Sequence, residues 1–350
     1  MKIAAFIERQ GDIEATAKHV ADMERAGLDM LWVNESYRLD VVSLIGYLAA
    51  RTTTLELGTG IVNVFSRTPA LMAMTAAGLD HVSSGRFSLG LGASGPQVIE
   101  GFHGVAYDRP LTRIREYIEV CRMVWRREPL AYDGKVVRAP LPPGEGLGLG
   151  KPLKLIEKPL RPSIPIWWAS MKGRSVAATA ELADGWLPAM FIPEKADDVW
   201  GADLRQGLAR RKPGLGPLEI SAGGILRIGE DLTGDRQSEV LDQRRPHMAL
   251  YVGGMGARDL NFYNDLARAY GYEQAAGEVQ DLYLSGHKAE AEARIPLEWL
   301  KTANLVGAPG YVAERVAAYR EAGVTRLAVN PVGPDALGQI AMLREIIERG

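Results

Sequence analysis

The sequence predicts an α/β fold, a (β/α)8 TIM barrel with insertions, and one domain spanning residues 1–350. Three observations predict it. Strand-like and helical patterns alternate without a break over the first 92 residues, which calls for parallel strands with helical crossovers. One junction then recurs from end to end: MERAGLDMLWVN (23–34) and YREAGVTRLAVN (319–330) share Ala-Gly at a helix end and Leu, Val and Asn at matching strand positions. SSGRFSL and LADGWLP repeat the helix–Gly–strand pattern, in which a left-handed glycine turns the chain into a buried strand. Finally, eight short strand-like runs can be counted, the number that closes such a barrel.

In chain order, the apolar run KIAAFIE makes 2–8 a buried strand. Asp12 caps a helix with Ile13, Ala17, Val20 and Ala21 on one side and Gly27 at its end. LDMLWVN (28–34) is the second strand, a helix follows over 40–51, and 55–60 is the third strand. Pro69 opens another helix, Gly85 follows it, and 86–91 is the fourth strand. The remaining strands fall at 164–169, 185–189, 218–227 and 324–329. Residues 130–163, rich in Pro and Gly, and 240–305, several helices in succession, are too long for plain loops and read as insertions, suited to lid or partner contacts.

Bulk properties exclude several function classes. Lys and Arg total 41 against 43 Asp and Glu, a net charge of −2, so no electrostatic case exists for nucleic acid or an anionic membrane. The basic run from Arg205 to Lys212 reads as a solvated helix end before Pro213. Cys121 is the single cysteine and is expected in the core, which excludes an internal disulfide framework. No secretory leader or membrane-length apolar run is apparent, so a cytoplasmic protein is the expectation. The five histidines show no metal-ligand spacing, and no G-x-S-x-G elbow occurs. His103, in EGFHG after the fourth strand, is a candidate to face a pocket.

Gly90, Gly92 and Gly95 in GLGASG match G-x-G-x-x-G, the dinucleotide fingerprint. Its context fails. PQVIEGFHGVAYDRP reads as a loop, with the next helix starting near Leu111; Glu116 and Glu119 lie inside that helix, and three βα units precede the motif. In a barrel, these glycines instead sit at the C-terminal end of the fourth strand, on the active-site rim, where they let the backbone approach a flat ring or simply turn the chain.

GTGIVNVFSRTPALMAMTAAGLDHVSSGRFSLGLGASGP together with ELADGWLP resembles the bacterial luciferase-like flavin and deazaflavin family. It is most similar to the coenzyme F420-dependent oxidoreductases, methylene-tetrahydromethanopterin reductase among them. The likeness covers most of residues 1–230 and resumes at 305–330. It implies a barrel holding the cofactor ring at its C-terminal mouth, a small-molecule substrate and a homodimer. It also implies a bulge at GTGIVN with a non-proline cis Gly60–Ile61 bond, Ile61, Val62 and Asn63 lining one ring face, and Gly92, Ala93 and Ser94 meeting the ring or ribityl chain. WWASMKGRSVA is similar to the family's phosphate loop. Ala169, Ser170, Lys172, Gly173 and Arg174 would then hold the phosphate at a helix N-terminus, with Ala183, Asp184 and Gly185 closing its other side.

Relatives acting on alcohols carry an Asp-His pair after the second strand, where VNESYRLD has Glu35 and Ser36. A second acid of those relatives would align near Pro96 and is also absent. Glu8, Glu35 and Tyr37, all at strand C-termini, are the candidate proton donors, because a dry barrel mouth raises a carboxyl pKa. Ser36 is a candidate donor to the cofactor's ring oxygen, and Arg67 either binds a polar tail or holds its own loop. The implied activity is hydride transfer between F420 and a small organic substrate. The alternatives are an FMN-dependent luciferase-like monooxygenase and a non-catalytic flavin- or deazaflavin-binding protein.

Overall fold

The structure, a computed structural model, describes residues 1–7 and 11–350. Eight parallel strands close into a barrel: β1 (Lys2–Phe6), β2 (Met30–Val33), β3 (Glu56–Thr59), β4 (Phe87–Gly92), β5 (Ile166–Ala169), β6 (Gly185–Leu187), β7 (Glu219–Ala222) and β8 (Arg326–Pro331). They pair in sequence order, and β8 returns to β1 with Lys2 opposite Arg326 and Val329 opposite Ala5. This closure is the (β/α)8 architecture, and it excludes the open sheet that a dinucleotide fold needs. Gly27, Gly85 and Gly323 all take positive φ (103°, 83° and 83°), so the recurring helix–strand junction is real at three sites. LADGWLP departs from it: Ala183 is extended and Gly185 is already inside β6.

Asp12 caps the first helix, accepting from the Ala15 N–H at 2.7 Å. Its buried face is Thr16, Ala17, Val20 and Met23; Ile13 is exposed, one position off the predicted stripe. The predicted strand 218–227 is two strands. β7 ends at Ala222, and Ile225–Ile228 pairs with the end of β8 at Asn330–Pro331 and with Leu305–Gly307. Gly223 and Gly224 make the break, because a Cβ on either would strike the carbonyl of Ala328 or Ala303. The basic run is also only partly solvated: Arg211 donates to the Ala180 and Ala183 carbonyls, each at 2.7 Å.

Inside the barrel, Ala4, Met30, Trp32, Trp167, Leu187 and Ala328 form a core separate from the larger one under the helices. Trp32 and Trp167 meet edge to face at 5.1 Å, and the Trp32 indole donates to Ser221 Oγ at 3.1 Å. Both indoles fit because Gly58 and Gly185 face them; a Cβ at either position would overlap a ring. Strand-opening residues close the N-terminal end with charge. Arg326 lies over Trp167 and pairs with Glu56 and Glu219, and Lys2 also pairs with Glu56. Burial alone would raise the Glu56 pKa, but Lys2 and Arg326 hold it below the usual carboxylate range.

Both insertions are present. The first carries an antiparallel hairpin, Tyr132–Asp133 with Arg138–Ala139. Glu116 fastens it to the helix Pro110–Trp125 by accepting from the N–H groups of Lys135, Val136 and Val137. The second is a run of helices from Arg245–Ala249 to Leu297–Thr302. No helix among the described residues is long and apolar enough to cross a membrane. Cys121 is fully buried, and burial pushes its thiol up to about 12. Native protein at pH 8 is therefore expected to resist thiol alkylation until it is unfolded; rapid labelling of the native state would show the site to be open.

Candidate active site

The strand C-termini converge on a floor of small and apolar groups. Phe6, Ile61 and Ala169 crown the inner core. Gly92 leaves room between the last two: a Cβ there would lie 3.3 Å from Ile61 Cδ1 and 3.6 Å from the Ala169 methyl. The Gly60–Ile61 peptide is cis, and Val62–Asn63 then rejoins β4 opposite Leu91 and Gly92. Asn63 is buried and holds this bulge, its Oδ1 accepting from the N–H groups of Phe65 (2.9 Å) and Ser66 (2.8 Å). Its amide nitrogen stands 3.5 Å from His103 Nε2, so His103 does come to the mouth. Ala93 is partly buried, and the Ser94 carbonyl accepts from Tyr107, whose ring stacks on Phe65.

Gly90, Gly92 and Gly95 therefore serve three different purposes. Gly90 permits close approach to Thr59, Gly92 clears the floor, and Gly95 caps a short helix, Pro96–Gly101. That helix lies where a loop is predicted. A helix does open after the third glycine, and what excludes the dinucleotide reading is barrel closure.

The loop after β2 corrects the reading of Glu35. Its carboxylate is buried and grasped by Arg67 in a two-pronged pair, Nη1 to Oε2 at 2.8 Å and Nη2 to Oε1 at 2.6 Å. With both oxygens accepting from a guanidinium, Glu35 anchors its loop to Arg67. Arg67 thus holds its own loop, and Tyr117 adds a bond to its carbonyl at 2.7 Å. Ser36 is exposed with a left-handed backbone (φ 50°), and Tyr37 is exposed on the rim beside Phe102. Glu8 lies outside the described residues.

Two asparagines escaped the sequence reading. Asn34 follows β2, and Asn330 lies near the end of β8, on either side of β1. Asn330 Oδ1 is buried without a partner among the described residues. The signal was present, since both occupy the final position of the LWVN/LAVN repeat.

After β5, the helix Gly173–Leu182 starts at the mouth with Lys172 as its cap. The Ser175 and Val176 N–H groups donate to the Lys172 carbonyl at 2.8 and 2.9 Å, which leaves those of Gly173 and Arg174 as the free donors of a helix start. Ser170 is turned inward to Thr179 (2.8 Å), and its carbonyl accepts from Trp186. Lys172 is exposed, bridges Asp265 at 3.1 Å and lies over Phe262; Arg174 is exposed. The Asp203 carboxylate flanks Gly173, where a Cβ would come within 2.6 Å of it.

Asp184 and Gly185 do not join this group. They lie beyond the other end of the 10-residue helix, about 15 Å along its axis, at the N-terminal side of the barrel. Asp184 accepts from the Ile166 N–H at 2.9 Å and pairs with Arg122 at 3.3 Å, while Gly185 makes room for Trp167. Both are structural, because a strand start and the preceding strand's end face opposite ends of a parallel barrel.

The second insertion reaches the rim at the loop after β5, where Phe262 and Asp265 meet Lys172. Arg244, His247 and Tyr251 recur at i, i+3 and i+7, a spacing the sequence reading passed over. Among the described residues, no cluster of three metal-ligating side chains occurs. Two surface clefts, of about 720 and 400 Å³, lie elsewhere; neither is lined by Ile61, Ser94, Ala169 or Lys172.

A family model described as luciferase-like monooxygenase matches residues 1–326. A putative coenzyme F420-dependent oxidoreductase of Mycobacterium tuberculosis is 39% identical, with 93% of each chain covered. The 5,10-methylenetetrahydromethanopterin reductase of Archaeoglobus fulgidus is 27% identical, covering 93% of this chain and 92% of that one. In fold, the chain is similar to the coenzyme F420-dependent tetrahydromethanopterin reductase of Methanopyrus kandleri, with a TM-score of 0.79 over 99% of both chains at 20% identity.

Proposed function

The chain belongs to the luciferase-like monooxygenase family, and from that premise we propose that it is an oxidoreductase moving hydride between coenzyme F420 and a small organic substrate. The observation that carries this reading is the cleared floor of Ile61, Gly92 and Ala169, which opens beside the helix start at Lys172–Gly173. That pairing fits a flat ring with a phosphate on its tail. The relatives named for F420 support the choice of cofactor over FMN.

When bound, the deazaflavin supplies two-electron hydride chemistry at its C5. The protein's own residues bind, orient and exclude water. Phe6, Trp32, Ile61 and Ala169 form the apolar floor, and Asn63 fixes the bulge above it. Gly92, Ala93 and Ser94 line the edge. The unpartnered Asn330 Oδ1 offers an acceptor to a donor held in the mouth. The N–H groups of Gly173 and Arg174 bind the phosphate, with Lys172 and Arg174 adding charge. Because the Asp203 carboxylate opposes an anion there, these two cations must outweigh it. The exposed Lys172–Asp265 pair is weak enough to reopen. We assign proton donation to Glu8 rather than to Glu35.

Side-by-side fluorescence titration with F420 and FMN tests the cofactor. F420 is expected to bind more tightly, and Lys172→Ala with Arg174→Ala to weaken it at least about tenfold. Unchanged affinity in that double variant removes the phosphate assignment, and preference for FMN moves the reading to the monooxygenase alternative.

A further inference from the structure

The helical insertion carries a cationic, aromatic face at the rim, where its helix Phe262–Ala269 meets Lys172 through Phe262 and Asp265. Arg244, His247 and Tyr251 share this face. The His247 ring packs on Tyr251 at 4.3 Å, and Tyr263 meets Tyr251 edge-on at 4.6 Å. Burial raises the Tyr251 hydroxyl pKa, with lesser effects from Arg244 and from Tyr37 and Arg38 of the β2 loop. Arg244 is half-buried, and among the described residues nothing accepts a hydrogen bond from its guanidinium. Its neighbours differ: Arg245 pairs with Asp242, Arg258 with Asp281 and Lys172 with Asp265. A guanidinium drawn partly out of water without an acceptor carries an uncompensated cost, and burial does lower the Arg244 pKa.

Resting on the reading above that the mouth is the active site, we infer that this face recognises an anionic group of the substrate, a carboxylate or a phosphate, through Arg244, with Tyr251 and Tyr263 against the body attached to it. Arg244 is suited to this because its planar fork matches both oxyanions. The cofactor's phosphate is the other anion to consider. Its cradle follows β5, and Lys172 there touches Phe262 and Asp265 of the helix that carries Tyr263, so the Arg244 face borders the cradle and the F420 affinity of an Arg244 variant tells the two anions apart. His247 reports on the same field. Burial beside Tyr251 first, and the Arg244 charge second, push it down to about 4, although part of its ring reaches solvent, and only the Arg244 part answers to a bound anion. An anion docked on Arg244 offsets that second cause.

The test is an NMR titration of the F420-loaded protein carrying labelled histidine, with His247→Gln identifying the resonance. Benzoate and inorganic phosphate are the probes, and benzamide is the neutral control. One anion or both should raise the His247 pKa by about one unit, while benzamide leaves it in place. Arg244→Met should weaken that response at least about tenfold with F420 affinity unchanged. Benzoate responding alone marks a carboxylate site, and phosphate alone a phosphate site. No His247 response to either anion, or a response that survives Arg244→Met, overturns the inference. Loss of F420 affinity in Arg244→Met also overturns it, by assigning the arginine to the cofactor's acidic tail. Failure of the wild-type protein to bind F420 strikes the cofactor reading instead, so the two failures are distinguishable.

Discussion

Gly90→Ala is expected to destabilise the protein by roughly 3 kcal/mol or more, enough to leave much of it unfolded. An added Cβ would fall on the carbonyl of Thr59, a backbone atom that no rotamer change can move. The contact is locked from both directions: Thr59 Oγ1 donates to the Gly90 carbonyl at 2.7 Å and accepts from its N–H at 2.9 Å. Gly95→Ala is the control. Its φ is −97°, and the nearest atom to an added Cβ is the flexible Gln97 Oε1 at 3.6 Å, so it should cost less than about 1 kcal/mol. Urea unfolding of both variants decides the matter. Equal midpoints would mean that β3 and β4 do not approach as described, and the floor built on them would have to be redrawn.

Arg67→Met is expected to cost about 3–5 kcal/mol, because it strands the buried Glu35 carboxylate without its partner. Glu35→Gln removes the charge but keeps the shape, so it should cost less, roughly 1.5–3 kcal/mol. The double variant should recover part of the loss, and the size of that recovery measures the pair. Turnover separates anchoring from proton transfer. An anchoring Glu35 loses activity in step with stability, whereas a proton-donating Glu8 loses more turnover in Glu8→Gln than any change in stability explains. Glu35→Gln with wild-type stability and no turnover would return the proton-donor role to Glu35.

The barrel was legible because its signals are local. A glycine closing a helix and an apolar run opening a strand lie within a few residues of each other, as in AGLDMLWV and AGVTRLAV. The errors fell where locality fails. GGILRI continues the apolar run of β7, and only the carbonyls of Ala303 and Ala328, distant in sequence, split it. PQVIEG is too short to show helical periodicity.

By itself, the sequence determined the eight barrel strands in their order and the lone buried thiol, since each follows from local alternation and apolar patterning. The tertiary structure decided how the charged side chains were used. Arg67 claims Glu35 from 32 positions away, Asp184 turns to the far end of the barrel, and Arg244 has no acid among the described residues. The physical reason is that ion pairing depends on separation in space across closed strands, and no residue spacing along the chain encodes which cation reaches which carboxylate.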